Sequence, residues 1–210
     1  MDAGLYAVSG VTIKPTPPRA AELSFGMPQT KRLFILRHAK SSWDDPGLDD
    51  HERPLAPRGQ RACKVMAKHL RTNAIEPELV LCSSARRTRE TLAGVGPAGE
   101  YVIESELYSA SPGDLVDRLR RVPEDISSVM LIGHNPSMQM LALRLARRDD
   151  DAAARATLER KFPTGALATL TFECGWSELG AGSARLAEFL TPRELNGNSG
   201  ADGAAPGHRA

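Results

Sequence analysis

Cysteine is scarce in this sequence. Cys63, Cys82 and Cys174 stand alone, with no CxxC pair and no Cys/His cluster at zinc spacing. A disulfide framework and a structural zinc site are thereby excluded. Charge of one sign is also lacking: 27 Lys and Arg against 26 Asp and Glu leave a formal net charge of +1. Bulk electrostatic binding to nucleic acid or to an anionic membrane is not expected on that balance. No apolar run reaches the roughly 20 residues of a membrane span. The first residues, MDAGLYAVSG, lack the basic start and long apolar stretch of a secretory signal. These absences predict a cytoplasmic protein, and any anion chemistry must come from a local cluster of basic residues.

What is present suffices for one domain with a sizeable core, since 41% of the 210 residues are hydrophobic and 25% charged. Residues 1–30 contain KPTPPRAAE and no periodicity, and read as a flexible N-terminal extension. Met27, just before the first core element, is a candidate translation start. Residues 196–210, NGNSGADGAAPGHRA, read as a disordered tail, which leaves 31–195 for the domain. Within it, strands are expected at 32–37, 78–84, 100–105, 127–134, 165–173 and 184–190. Helices are expected at 57–73, 85–95, 111–123 and 136–148, the first and third opened by prolines. This alternation predicts an α/β layer fold with a largely parallel central sheet.

Two motifs are decoys. GVGPAG (94–99) matches GxGxxG, but a helical segment precedes it and a strand follows, the reverse of a dinucleotide site, so it reads as a turn. CSSARR (82–87) suggests a cysteine phosphatase loop, yet the arginine falls one residue short of the required spacing. Cys82 also sits in a buried strand, where a thiol is inert. A metal site from His38, His134 and Asp44 lacks any HxH or HxxxH support, and an arginine beside the ion would repel it. No metal or other cofactor is expected.

Three expected strands end in reactive residues: Arg37-His38, SSARR at 83–87, and Gly133-His134-Asn135. Ligands of parallel sheets bind outside the carboxyl ends of the strands, so these ends belong on one rim. Two guanidiniums, Arg37 and Arg87, can grip a phosphoryl group through forked hydrogen bonds at any ordinary pH. A neutral imidazole between them, His38, can attack phosphorus and carry the group covalently. A backbone carbonyl bonded to one ring nitrogen would fix its tautomer. His134 can stabilise charge spreading over the phosphoryl oxygens. His51, in the polar loop DDHERP, is expected on the site rim.

These residues resemble the histidine phosphatase superfamily. LRHAKS at 36–41 resembles its RHG-type signature, with Ala39 in place of glycine. SSARRTRET at 83–91 resembles the segment S-x-x-x-R-[TA]-x-[QE]-T, and GHNP resembles the second histidine motif. The combination of RHAKSSW, RPLAPRG, GHNP and FPTGALA resembles the subgroup that includes bacterial phosphohistidine phosphatases. The resemblance spans about residues 31–190. It implies a three-layer α/β/α, phosphoglycerate mutase-like catalytic domain and a metal-independent phosphatase with a phosphohistidine intermediate on His38. The implied substrate is a histidine-phosphorylated signalling protein. Ser41 would bond a phosphate oxygen, and Arg53 would meet an acidic substrate surface. Where many relatives carry a glutamate acid in an L-x-E segment, this chain has Leu107-Tyr108-Ser109, with Glu104 or Glu106 as substitutes in another register. An imidazole leaving group needs such an acid less than an alkoxide does, which favours phosphohistidine. A small-molecule phosphomonoesterase and a non-catalytic phosphoprotein-binding module are the alternatives.

Overall fold

Strand β1 (Lys31–Arg37) buries apolar side chains on both faces, Leu33 and Ile35 on one, Phe34 and Leu36 on the other. A strand of that kind needs a neighbour at each edge and a helical layer over each face. It pairs in parallel with β4 (Ser128–Gly133), itself buried throughout, and antiparallel with β5 (Leu167–Phe172). With β2 (Leu79–Ser83), β3 (Glu100–Glu104) and β6 (Arg185–Leu190), the sheet order is β3-β2-β4-β1-β5-β6. The β2–β3 and β2–β4 pairs are parallel and β5–β6 is antiparallel, so β5 alone runs against the other strands. The computed structural model describes residues 30–150 and 152–198; the expectations for residues 1–29 and for 199–210 fall outside the described residues.

Two cores lie on either side of the sheet. Cys63, Met66 and Leu70 of α1 (Pro57–Thr72), Val95 of α2 (Arg86–Val95) and Leu195 of α6 (Pro192–Asn198) cover the Phe34 and Leu36 face. Leu115 and Leu119 of α3 (Pro112–Leu119), Leu141 and Leu145 of α4 (Ser137–Leu145) and Leu158 of α5 (Ala152–Arg160) cover the other. Each such side chain removed from water contributes about 1.5–3 kcal/mol. The result is a three-layer α/β/α architecture. The tail expectation began three residues early, because α6 continues through residue 198.

Helix α5 is absent from the sequence expectations because it buries a single residue, Leu158, and shows no apolar stripe. It matters for topology. Helix α4 leaves the carboxyl edge of the sheet, and α5 returns the chain there, so β5 starts beside the end of β1 and runs the opposite way. Local signals behave as their chemistry dictates. Ser111 and Asp114 form a reciprocal capping box at α3, and Gly96 closes α2 at φ 57°, which confirms GVGPAG as a helix end and turn. No helix among the described residues is long and apolar enough to cross a membrane.

Candidate active site

Strand register brings three chain ends to one rim. Arg37 stands level with Gly133, and Cys82 level with Ile132. His38, His134 and Ser83 therefore leave the sheet side by side at its carboxyl edge. The His38 N–H donates to the Gly133 carbonyl at 3.0 Å. Gly165 N–H donates to the carbonyls of both Arg37 and His38, at 3.1 and 3.0 Å. Gly165 does so at φ 76°, where a side chain would be strained.

The imidazole of His38 is buried, and its Nδ1 lies 2.7 Å from the Ala39 carbonyl oxygen. That oxygen can only accept, so the proton resides on Nδ1 and Nε2 keeps its lone pair. Burial pushes the His38 pKa down to about 3; the Ala39 bond opposes this, and His134, Arg87 and Arg37 reinforce it. His134 lies with its ring centroid 5.2 Å away. Burial first, then Arg87, lowers its pKa to about 4. Both rings are neutral at physiological pH. His134 Nε2 is 2.8 Å from Ser83 Oγ, while its Nδ1 is buried without a protein partner.

Each arginine is anchored from behind. Arg37 Nη1 donates to the Phe162 carbonyl at 2.6 Å, and its Nε is buried without a protein partner. Arg87, in the first turn of α2, donates to the Asp50 carbonyl and, at 3.0 Å, to the Asp50 carboxylate. Thr91 ties this helix to the residue after His38: its hydroxyl donates to the Arg87 carbonyl at 2.6 Å and accepts the Ala39 N–H at 3.0 Å.

Asp50 links two guanidiniums. One carboxylate oxygen accepts from Arg53 at 2.7 Å; the other accepts from Arg87 and from the Tyr108 hydroxyl at 2.7 Å. The Tyr108 bond, ahead of those from the two arginines and against some cost of burial, holds the Asp50 pKa at about 2. Tyr108 also sets its ring edge-on to His134, 5.4 Å between centroids. His51 stands on the rim as expected, bonded to Ser84 at 2.9 Å and edge-on to Tyr108.

The four residues Arg37, His38, Arg87 and His134 are thus gathered at one place. Ser41 and Arg53 bond each other, and Arg53 reaches Arg87 through Asp50. Arg53 is buried, donating to Ser41 Oγ at 2.8 Å and to the Ser42 carbonyl at 3.0 Å, beneath the ring of Trp43. The Arg53 guanidinium, expected to meet an acidic substrate surface, is enclosed here by Asp50, Ser41 and Trp43. Trp43, 68% exposed, occupies that outer position instead. Glu104 is bound by Arg118 at 2.6 Å, and Glu106 lines the same cleft; neither bonds to His38, His134 or Arg87. Cys82 is fully buried with its thiol pushed up to about 12 by burial, as a structural cysteine should be.

Sequence reasoning did not assign Asp50, Tyr108 or Ser83. An acid three residues before Arg53 was the one local signal for Asp50. Tyr108 carried none, and Ser83, although it opens the S-x-x-x-R segment, meets a partner 51 residues away.

A fold with an arginine and histidine closing one central strand, a second histidine closing its neighbour and an arginine opening the next helix defines a class. Residues 33–127 match the family model described as the histidine phosphatase superfamily (branch 1). The chain belongs to this superfamily and is a phosphatase. Within the superfamily it is SixA-like. The structure of a putative phosphohistidine phosphatase SixA from Nakamurella multipartitia superimposes with a TM-score of 0.70 at 32% identity, covering 78% of this chain and 96% of that one. An uncharacterized protein of Mycobacterium tuberculosis is 38% identical over 159 residues, 75% of this chain and all of the relative. The phosphohistidine phosphatase SixA of Escherichia coli is 27% identical over 148 residues, 68% of this chain and 86% of that protein.

Proposed function

We propose that this phosphatase takes a phosphoryl group from a phosphohistidine protein onto Nε2 of His38 and then transfers it to water. The observation that carries this reading is the bond from His38 Nδ1 to the Ala39 carbonyl at 2.7 Å in a ring kept neutral. Nε2 is left as a nucleophile at any physiological pH. Its lone pair forms a bond to phosphorus while the P–N bond of the substrate breaks, and the departing imidazole takes a proton from solvent. Water then attacks phosphorus, the P–Nε2 bond breaks, and inorganic phosphate leaves.

Arg37 and Arg87 supply fixed positive charge to the phosphoryl oxygens, through guanidiniums already oriented by Phe162 and Asp50. We take the Ser83 hydroxyl as the donor to Nε2 of His134, 2.8 Å away, which puts the His134 proton on Nδ1. A buried donor of that kind, otherwise unpartnered, is stabilised by a phosphoryl oxygen.

The choice of a nitrogen-linked phosphoryl group rests on the carboxylates. Asp50, which bonds Arg87, is ionised down to about pH 2 and has no proton to give at neutral pH. Glu104 is committed to Arg118. An alkoxide would depart without a carboxylic acid to protonate it, whereas an imidazole accepts a proton readily. The three free cysteines fit the reducing cytoplasm in which such signalling proteins work.

Rapid quench with a radiolabelled phosphohistidine protein tests the reading. The expected result is an acid-labile, base-stable phosphoenzyme that is absent from His38→Asn. Turnover retained in His38→Asn, or comparable turnover of simple alkyl phosphates, would overturn it.

A further inference from the structure

Helix α1 carries five cations, Arg58, Arg61, Lys64, Lys68 and Arg71, and no acidic residue. Their spacing of three or four residues puts them in one stripe about 20 Å long. All five are exposed, and among the described residues none makes an ion pair. Some arginines elsewhere do hold carboxylates, among them Arg53, Arg87, Arg118 and Arg155. The stripe opposes the stability of its own helix. Like charges three and four residues apart repel, and cations near the N-terminus face the positive end of the helix dipole. The dipole favours Arg71 in the last turn but not Arg58 and Arg61 in the first turns.

Four of these cations, Arg58, Arg61, Lys64 and Lys68, wall a groove between α1 and α6. Arg193 adds a cation from the opposite side, and Ala62, Val65, Pro192 and Leu195 form an apolar floor. Glu194 of α6 bonds Thr191. One end of the groove abuts Gly165. Gly165, which bonds the carbonyls of Arg37 and His38, packs where a Cβ would lie 3.0 Å from Pro192 and 3.6 Å from Ala62. The first turn of α1 rests on Lys40, so tightly that a Cβ on Gly59 would collide with the Lys40 carbonyl. From that rim α1 runs back across the sheet, as a crossover between parallel strands must.

We infer that the α1–α6 groove is a docking surface for an acidic amphipathic segment of a protein partner. A cationic wall beside an apolar floor matches a helix or strand with one acidic and one apolar side. Nucleic acid would satisfy the wall and leave the floor uncovered. Because the net charge is only +1, attraction of an acidic segment must come from a local cluster of cations such as this one, which would orient the partner. The inference rests on the phosphohistidine reading only for the identity of the docked protein, which is the substrate itself.

The test is the triple reversal R58E/R61E/K64E in the full chain. The variant places acids near a helix N-terminus, so its melting temperature is expected to match or exceed the parent's. The probe is a fluorescent synthetic helix with glutamates on one face and leucines on the other, followed by anisotropy. Binding is expected to weaken at least about tenfold on reversal, and to fall with salt in the parent protein only. Turnover of a phosphohistidine carrier protein is expected to lose about tenfold in kcat/KM through KM, while hydrolysis of phosphoramidate ion is unchanged. Equal peptide binding by parent and variant, or tighter binding of a single-stranded oligonucleotide than of the peptide, overturns the docking surface. Peptide binding as expected, with a phosphohistidine protein left untouched by the parent, upholds the surface and removes the phosphoprotein reading instead.

Discussion

Ser83 and His134 meet at 2.8 Å across 51 residues of sequence, and the contact decides which nitrogen of His134 is left for a ligand. Ser83 closes β2 and His134 follows β4, so only the pairing of those strands brings them together. A hydrogen bond of this kind contributes about 1 kcal/mol. Ser83→Ala is therefore expected to lower kcat about five- to tenfold with little change in KM. Nitrogen chemical shifts of the His134 ring should show a mixed tautomer in the variant and a single one in the parent.

Stability is expected to fall in mild acid. His38 and His134, at about 3 and about 4 in the folded chain, return to an ordinary value near 6.5 when it unfolds. Between those limits the unfolded chain binds more protons than the folded one, so unfolding is favoured as pH drops below 6.5. The two sites together steepen the dependence by up to about 2.7 kcal/mol per pH unit. Denaturant midpoints at pH 7 and pH 5 check this, and the double variant His38→Asn/His134→Asn should show a much shallower slope.

Arg87→Lys keeps the charge and removes the fork. The lysine can reach neither Asp50 nor a phosphoryl oxygen in a bidentate way. Losing a charge-assisted hydrogen bond costs about 1.5–3 kcal/mol, so kcat/KM should fall roughly ten- to 150-fold. Steady-state kinetics on phosphoramidate ion would measure it without the protein substrate.

Tyr108→Phe deletes the bond that contributes most to the low pKa of Asp50. The carboxyl should titrate at higher pH in the variant, read by its carbon chemical shift. In the parent, what the ionised Asp50 contributes to site order is present above its unfolded pKa and lost as pH falls through about 2. In the variant that loss begins earlier.

Leu131→Ala truncates a buried side chain in the central strand β4. The expected destabilisation is about 2–5 kcal/mol, a drop of roughly 5–15 °C in melting temperature for a chain of this size. Activity per folded molecule at low temperature should change little.

Much of this protein is legible in its sequence for local reasons. Buried strands announce themselves as short apolar runs, Pro57 and Ser111 mark helix starts, and Gly96 marks a helix end. The four residues at the strand ends could be grouped because parallel strands place their carboxyl ends together. Position along the chain did not decide what surrounds those residues. The reversal of β5 followed from α5, whose polar composition hides it, and Arg53 became a buried support once Asp50 and Ser41 closed around it. The sequence by itself determined the layers and the grouping of His38 and His134 with the two arginines, since these depend on residue type and short-range pattern. Tertiary structure alone decided the His38 tautomer, the Arg53–Asp50–Arg87 chain and the union of α1 and α6 in one groove. Those depend on strand order and register, which join residues that no local spacing relates.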